Sequence, residues 1–225
     1  MNRCVLVTGA ARGIGAAIVE RLTHDGWLVY GVDVDDADLT TRAGNRAVVD
    51  AALERFDGRL DAIVANAGFQ HVAPVRDFPE EQWDKLQALL VTSPFLLAKY
   101  AWDALAASGD GRFLAVASVH GLVASPFKAG YVAAKHGVLG LVKVLALEGA
   151  EAGISVSAIC PAYVRTALVE AQLQERELDD LLAPQAVKRL LEPSEVAAAA
   201  AFLLGPDGRA VTGAPLVLDL GWTAR

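Results

Sequence analysis

The sequence is poor in cysteine and methionine and has no run of basic residues. Only two cysteines and one methionine occur among 225 residues. Cys4 and Cys160 both lie in apolar runs, which is typical of buried core thiols and not of a disulfide framework or a metal site. The 20 Lys and Arg residues are outnumbered by 27 Asp and Glu residues, and the resulting net charge of -7 argues against a nucleic-acid-binding surface. We therefore expect an intracellular protein with no metal and no nucleic-acid partner.

Long uncharged segments are also missing. The longest, such as residues 113–127, fall short of the ~18 residues that a membrane helix needs. The chain passes from Met1 directly into an apolar run, without the pattern of a signal peptide. Hydrophobic residues make up 54% of the sequence and charged residues 21%, so the chain can bury a substantial core. These features predict a soluble, cytoplasmic protein with no membrane partner, made of a single domain over residues 1–225.

The first part of the chain has the pattern of a dinucleotide-binding unit. An apolar run at residues 4–7 leads into Thr8–Gly15, which reads TGAARGIG. Helical spacing then places Ile18 and Leu22 on one face, and a second apolar run ends at Asp33. Glycines in such a loop let backbone N–H groups approach a pyrophosphate at the start of the helix. The predicted cofactor contacts in the loop are Gly9, Arg12, Gly13, Ile14 and Gly15.

Two residues of this unit give opposite indications about the cofactor. Asp33 follows Gly15 by eighteen residues, close to the ~20 expected for an acid that binds the adenosine ribose. A carboxylate there accepts hydrogen bonds from the ribose hydroxyls and repels a 2′-phosphate. Arg12 favours the phosphorylated cofactor instead, because a basic side chain in the loop attracts a 2′-phosphate. We weigh Asp33 more heavily and predict NAD.

Strand-like and helix-like segments alternate along the rest of the chain. Residues 46–49 are interpreted as a third strand, which would place Asp50 beside the adenine. Further strands are predicted at residues 60–64, 112–117, 154–159 and 216–218, with a long helical region over residues 80–108 between them. This alternation predicts a Rossmann-type α/β fold: one doubly wound parallel sheet of about seven strands with helices on both faces. Residues 161–192 are interpreted as a substrate lid.

Tyr131 and Lys135 are candidates for acid–base chemistry. They lie four residues apart in a helical pattern, so their side chains share one face. An ammonium beside a phenol favours the phenolate and lowers a pKa that is otherwise ~10, which would let the phenol act near neutral pH. Ser118 ends the preceding strand and is positioned to bind the same substrate oxygen. The Tyr–Lys spacing alone is more often a surface pair, and the glycine loop with Asp33 is what favours catalysis.

Together these motifs resemble the short-chain dehydrogenase/reductase family. TGxxxGIG is present at Thr8–Gly15, Asn-Ala-Gly at residues 66–68, and the Ser–Tyr–Lys set at Ser118, Tyr131 and Lys135, in the family's order over the full chain. Four further runs, at residues 70–74, 120–140, 159–172 and 221–225, resemble the hydroxybutyrate dehydrogenase branch of the family. The resemblance implies NAD, a homotetramer or homodimer, and the interconversion of (R)-3-hydroxybutyrate and acetoacetate.

The resemblance also implies roles for individual residues. Tyr131 would exchange the substrate proton, Ser118 would hold the substrate oxygen, and Lys135 would bind the nicotinamide ribose. Further cofactor contacts would come from Asn66, Ala67, Gly68, Tyr131, Lys135, Pro161, Val164 and Thr166. Substrate contacts would come from Gln70, His120, Lys128, Tyr163 and Gln172. This set agrees with the chemistry of a short hydroxy acid, since its carboxylate needs a cation and several converging donors.

The chain departs from the family pattern at several positions. Leu90 aligns with the family's usual Asn, and Ala162 replaces the Gly that usually follows Pro161. The segments between Asp33 and Asn66 and within the lid are short for the family. Two alternatives therefore stay open: an NADP-dependent 3-oxoacyl or ketone reductase, favoured by Arg12, and a dinucleotide-binding protein with little catalysis.

Overall fold

A parallel sheet forms the centre of the molecule. The computed structural model describes residues 2–173 and 177–224, with the side chains of residues 172 and 173 left out. Six strands lie in the order β2-β1-β3-β4-β5-β6, and every pairing is parallel. The strands are β1 (Cys4–Thr8), β2 (Leu28–Val32), β3 (Ala62–Ala65), β4 (Gly111–Val116), β5 (Ile154–Pro161) and β6 (Pro215–Leu218). The doubly wound parallel sheet is thus confirmed, with six strands where about seven were predicted.

Helices connect successive strands and cover both faces of the sheet. They are α1 (Gly13–His24), α2 (Arg42–Arg55), α3 (Glu80–Gln87), α4 (Ser93–Ala107), α5 (Ala129–Gly149), α6 (Ala167–Leu173), α7 (Leu178–Leu182) and α8 (Pro193–Leu204). A π-helical segment, Ala88–Thr92, joins α3 to α4. The long helical region predicted over residues 80–108 therefore exists, with a change of helix type in its middle.

Each face of the sheet has its own hydrophobic core. On one face α1 and α8 pack against the strands through buried residues such as Ile18, Leu22 and Val196. On the other face α2, α4 and α5 contribute buried residues such as Val48 and Leu97. Strands buried on both sides explain why the apolar runs of the sequence show little alternation.

The predicted third strand at residues 46–49 is wrong, because these residues lie inside α2. The Thr41 hydroxyl accepts a 3.0 Å hydrogen bond from Gly44 N and caps the helix. Asn45, Val48 and Val49 are buried on the inner face of α2, which packs against α4, with Ala52 one turn further. Their spacing is that of a helix, and the valine pair alone gave a misleading β-strand signal.

Helix α5, which carries Tyr131 and Lys135 near its start, contributes its later turns to the core that it shares with α2 and α4. Among the described residues it is the one helix with the length and composition of a membrane span, with a mean hydropathy of 1.3. In this fold it packs against β5 and buries Val138 and Val142. Burial inside the protein thus accounts for part of its apolar composition, because 44% of the apolar window is buried.

The strand order reverses between β1 and β3, which are neighbours in the sheet and leave it on opposite sides. A crevice opens at such a point beyond the carboxyl ends of the strands. The loops after β1, β2, β3, β4 and β5 all reach this end of the molecule. The topology therefore assembles residues that are distant in sequence.

Candidate active site

A cavity of about 630 Å³ lies at the carboxyl ends of the strands. Most of the predicted site residues line it. They are Gly9, Arg12, Gly13, Ile14, Asp33, Asn66, Ala67, Gly68, Gln70, Ser118, His120, Tyr131, Lys135, Pro161, Tyr163, Val164 and Thr166. One continuous space thus joins the glycine loop to the Ser–Tyr–Lys set.

Three positions in the glycine loop have a backbone geometry or a packing that favours glycine. Gly9 and Gly13 have φ of 67° and 56°, in the left-handed region. A Cβ on Gly15 would lie 1.9 Å from the carbonyl oxygen of Gly9, so Gly15 packs against the loop and does not line the cavity among the described residues. No side chain caps the start of α1. Its first N–H groups are therefore available to a phosphate, and the loop fits a pyrophosphate.

The Asn-Ala-Gly turn after β3 holds the glycine loop in place. Asn66 Nδ2 donates to the carbonyl oxygens of Thr8 and Gly9, both at 3.0 Å. The Thr8 hydroxyl accepts in return from the backbone N–H groups of Asn66 and Ala67, both at 3.1 Å. This reciprocal network fixes the two strand ends that flank the crevice.

Asp33 lies at the end of β2 beside the glycine loop. Its Oδ2 accepts a 2.9 Å hydrogen bond from Ala11 N, and its Oδ1 accepts one of 2.8 Å from Val34 N. Each carboxylate oxygen keeps a further lone pair for a ligand hydroxyl. Arg12 lines the same cavity and is exposed. The two residues that give opposite indications about the cofactor thus lie at one site.

The prediction that Asp50 lies beside the adenine rested on a strand at residues 46–49, and that strand is replaced by α2. Asp50 is on the exposed face of α2 and does not line the cavity among the described residues. The loop before α2 contributes Asp38, Leu39 and Thr40 instead. These residues were missed because their stretch is polar and without a period. The Thr41 cap and the helical spacing after it would have identified them.

Ser118 and Tyr131 are in contact at the centre of the cavity. The Ser118 hydroxyl hydrogen-bonds the Tyr131 phenol and also accepts from His120 N at 3.1 Å. Lys135 Nζ lies 5.5 Å from the centroid of the Tyr131 ring and donates to the Val116 carbonyl at 2.7 Å. The structure therefore brings the three predicted catalytic residues together.

The acid–base properties of this group differ from the sequence expectation. Burial raises the pKa of Tyr131 to about 12, although the Ser118 hydrogen bond opposes the shift. The ammonium of Lys135 lies over the ring and bonds a carbonyl, so it does not offset the desolvation of the phenolate. Burial also lowers the pKa of Lys135 to about 8. The protein by itself thus keeps Tyr131 protonated at neutral pH.

Aromatic side chains surround His120 at the other end of the cavity. The centroid of its ring lies 6.0 Å from that of Tyr131, 6.3 Å from that of Tyr163 and 5.4 Å from that of Trp222. Burial, with a contribution from the Lys128 charge, lowers the pKa of His120 to about 3. Gln70 lines the same cavity, and its Nε2 is buried and has no hydrogen-bond partner among the described residues. This end offers neutral donors to a ligand.

Two predicted substrate residues have a different placement. Lys128 is 2% exposed and does not line the cavity among the described residues. Its Nζ donates to the Tyr163 hydroxyl at 3.5 Å and lies 5.2 Å from the centroid of that ring. Lys128 thus reaches the cavity through Tyr163. The side chain of Gln172 lies outside the described part of the chain.

Leu90 occupies the π-helical segment behind Tyr131. It is 2% exposed and clusters with Leu86 and Ala134, and Tyr131 packs against this cluster. A Cβ added to Gly68 would lie 3.0 Å from Leu90 Cδ2. Tyr131 therefore has an apolar contact on the side of α3 and the π segment.

Comparison with known proteins shows similarity to several oxidoreductases over nearly the whole chain. The family model described as "Enoyl-(Acyl carrier protein) reductase" matches residues 30–223. A D-beta-hydroxybutyrate dehydrogenase of Rhizobium meliloti is 36% identical over 259 aligned positions, covering 100% of both chains. An acetoacetyl-CoA reductase of the same organism is 36% identical and covers 98% of both chains. The alignment to the first relative is longer than this 225-residue chain, so that relative carries insertions.

A solved structure agrees with this family. The 3-ketoacyl-(acyl-carrier-protein) reductase from Brucella melitensis, complexed with NADH, is 30% identical with a TM-score of 0.90, covering 98% of both chains. The family match, the full-length identities and the cavity that joins a glycine loop to a Ser–Tyr–Lys set agree with one another. The chain is an oxidoreductase that belongs to the short-chain dehydrogenase/reductase family.

Proposed function

We propose that the protein is an NAD-dependent dehydrogenase that interconverts (R)-3-hydroxybutyrate and acetoacetate, or a close short hydroxy acid. The observation that carries the proposal is one cavity that holds Asp33 at one end and Ser118, Tyr131 and Lys135 at its centre. Gln70, whose amide donor has no hydrogen-bond partner among the described residues, lines the same cavity. The identity to a D-beta-hydroxybutyrate dehydrogenase supports the substrate class.

The residues of the cavity fit a nicotinamide dinucleotide. The glycine loop would hold the pyrophosphate, Asp33 the adenosine ribose, and Lys135 the nicotinamide ribose. Asp38 and Leu39 would flank the adenine. When bound, the cofactor supplies the hydride acceptor for alcohol oxidation and the hydride donor for ketone reduction. Asp33 also disfavours a 2′-phosphate by charge repulsion, which supports NAD over NADP.

Tyr131 acts as the base in oxidation and as the acid in reduction. Its phenol must lose a proton before it can accept the one on the substrate hydroxyl, and burial opposes that loss. A positive ring charge on the oxidised nicotinamide would favour the phenolate by Coulomb attraction. Ser118 would donate to the substrate oxygen and hold it as its charge changes.

The carboxylate of the substrate would lie at the end of the cavity with Gln70 and Tyr163. Gln70 Nε2 offers a donor that is buried and unpartnered among the described residues. Lys128 donates to the Tyr163 oxygen, which polarises that hydroxyl and strengthens it as a donor. Lys128 thus contributes positive charge to this end from behind the cavity wall.

A second candidate is an NADP-dependent reductase of 3-oxoacyl or other ketone substrates. Arg12 favours it because its exposed side chain lines the cofactor end of the cavity. Relatives named as acetoacetyl-CoA reductase and 3-ketoacyl-(acyl-carrier-protein) reductase also favour it. A dinucleotide-binding protein with little catalysis is a third candidate, motivated by Leu90 and Ala162. The intact Ser–Tyr–Lys geometry opposes this third reading.

We also propose a cytoplasmic homotetramer, with a homodimer as the alternative. Exposed apolar side chains occur on the outer faces of α4 and α5, where Phe95 is 41% exposed, Val144 50% and Leu147 79%. Phe202 of α8 and Val217 of β6 form a second apolar area. Self-association through these two areas would cover both. Two buried free thiols, Cys4 and Cys160, agree with a reducing compartment.

A substrate panel tests the proposal. NADH formation is measured with (R)-3-hydroxybutyrate, its (S) enantiomer, uncharged secondary alcohols and 3-oxoacyl thioesters, each with NAD and with NADP. We expect the (R) acid with NAD to have the highest kcat/KM. A preference for thioesters with NADP would establish the second candidate. Tight cofactor binding without turnover across the panel would establish the third.

A further inference from the structure

The proton that Tyr131 takes in each oxidation has to leave the site before the next turnover. On the side of α3 and the π segment, Tyr131 packs against apolar residues that include Leu86 and Leu90. Lys135 Nζ is engaged with the Val116 carbonyl, and a carbonyl oxygen does not pass a proton onward. The Ser118 hydroxyl is a polar contact of the phenol, and a route for the proton can begin there.

A chain of side chains that can exchange protons continues from Ser118. Ser118 Oγ lies 3.5 Å from His120 Nδ1, and His120 Nε2 lies 2.9 Å from Ser125 Oγ. Ser125 is half-buried in a loop whose neighbours Ala124 and Pro126 are exposed. The chain therefore begins at the catalytic phenol and ends near solvent.

Resting on the function proposed above, we propose that His120 and Ser125 form a proton relay between Tyr131 and solvent, by way of Ser118. The relay is a further role for His120 and the first for Ser125. It needs a histidine two residues after Ser118 and a hydroxyl within reach of its far nitrogen, and this chain has both.

The transfers balance atom by atom. In oxidation the substrate O–H bond breaks and the proton forms an O–H bond on Tyr131. Tyr131 then gives a proton to Ser118 Oγ as Ser118 gives its own to His120 Nδ1. His120 in turn gives its Nε2 proton to Ser125, and Ser125 releases one to water. Each oxidation moves the ring proton of His120 from Nε2 to Nδ1. Reduction runs the same transfers in reverse and restores the original tautomer, whereas repeated oxidation requires the ring to return to that tautomer between turnovers.

The surroundings of His120 favour such an exchange. Both ring nitrogens have a hydroxyl partner, so one can act as acceptor while the other acts as donor. Tyr131, Tyr163 and Trp222 hold the ring in one orientation. Burial and the charges of Lys128 and His136 disfavour an imidazolium, and the pKa of His120 is about 3. The proton therefore passes through the ring in a concerted step.

Ser125 gives the sharpest test, because it does not line the cavity among the described residues. We expect Ser125→Ala to lower kcat about 10-fold with KM for substrate and cofactor unchanged, and to raise the solvent deuterium isotope effect on kcat. Small buffers such as imidazole should restore part of the rate. Ser125→Thr keeps the hydroxyl and should retain the rate of the unmodified protein.

His120→Gln tests the ring itself. We expect kcat to fall about 10-fold or more, and imidazole buffer should restore part of it. Fluorescence titration should show that cofactor affinity is retained. His24→Gln, at the exposed last turn of α1, is the matched control. A rise in KM for hydroxy acids with no change in isotope effect would show that His120 binds substrate only. Unchanged kcat and isotope effect in Ser125→Ala would overturn the relay.

The relay and the substrate proposal fail in different ways. Any alcohol or ketone that the protein accepts allows the Ser125 test, so a failure with 3-hydroxybutyrate alone refutes the substrate and not the relay. If nothing turns over, ¹⁵N spectra of the histidines decide. The relay requires a neutral His120 ring whose tautomer balance shifts in Ser125→Ala, and a ring that is protonated at pH 6 or unaffected by Ser125→Ala would contradict it.

Discussion

The Ser93 hydroxyl donates a 2.6 Å hydrogen bond to the side-chain oxygen of Asn45, and this buried pair joins α4 to α2. Asn45 is 0% exposed and Ser93 2%. The amide nitrogen of Asn45 donates to the carbonyl oxygens of Leu39 at 2.8 Å and Thr41 at 2.7 Å. Because Leu39 lines the cofactor end of the cavity, this one side chain connects the packing of two helices to the proposed adenine wall.

Replacing Asn45 by Ala should weaken both the fold and cofactor binding. The change leaves buried polar groups without partners, each at a cost of about 1–3 kcal/mol, so we expect the free energy of unfolding to fall by about 2–4 kcal/mol. Denaturant unfolding measures it, and titration with NAD should show weaker binding. Asp50→Ala, on the exposed face of the same helix, should change stability by less than about 0.5 kcal/mol and leave NAD affinity intact. Equal NAD affinity in the two variants would show that Asn45 does not influence the cofactor site.

The features that the sequence predicts well are those set by residues close together in the chain. The glycine loop, the end of β2 and the Tyr–Lys spacing are local patterns, so Gly9, Asp33 and Tyr131 were placed in one cavity without coordinates. The predicted strand at residues 46–49 was wrong because its signal was two valines, whereas the cap at Thr41 marks the start of a helix there. Burial acts through neighbours distant in sequence, and this is why the raised pKa of Tyr131 and the position of Lys128 behind Tyr163 were not foreseen.

Asp33 should control the choice of cofactor. Asp33→Asn removes the charge that repels a 2′-phosphate and weakens hydrogen bonds from the ribose hydroxyls. We expect Kd for NAD to rise about 10-fold and discrimination against NADP to shrink, since a hydrogen bond to a charged group contributes about 1.5–3 kcal/mol. Titration of both cofactors measures it. Asp35→Asn changes a nearby exposed carboxylate that does not line the cavity among the described residues and should change neither Kd. If the ratio of the Kd values for NAD and NADP is unchanged in Asp33→Asn, other residues determine the cofactor selectivity.

Tyr131→Phe should abolish catalysis and preserve the fold. The change removes only the hydroxyl, and its loss should lower kcat by about 10²–10⁴-fold or more, the range for a positioned acid–base group. Circular dichroism, thermal unfolding and NAD titration should show a folded, cofactor-binding protein. Phe differs from Tyr by one oxygen, so the packing against Leu86 and Leu90 is kept. A variant that turns over at the original rate would refute Tyr131 as the acid–base group.

His120 should make the protein less stable in mild acid. Burial lowers the pKa of His120 from its model-compound value of 6.5 to about 3, so the unfolded chain binds a proton between these values that the folded protein does not. A group with a lowered pKa stabilises the fold above its unfolded pKa, and this stability is lost as pH falls below about 6.5. The slope should approach ~1.4 kcal/mol per pH unit for one proton. Urea unfolding between pH 7 and pH 5 measures it, a range above the ordinary titration of carboxyl groups. His120→Gln should reduce the slope of unfolding free energy against pH by about one proton, while His24→Gln should leave that slope unchanged. Equal slopes in the His120 variant and the unmodified protein would mean that His120 takes up a proton in the folded state as readily as in the unfolded chain.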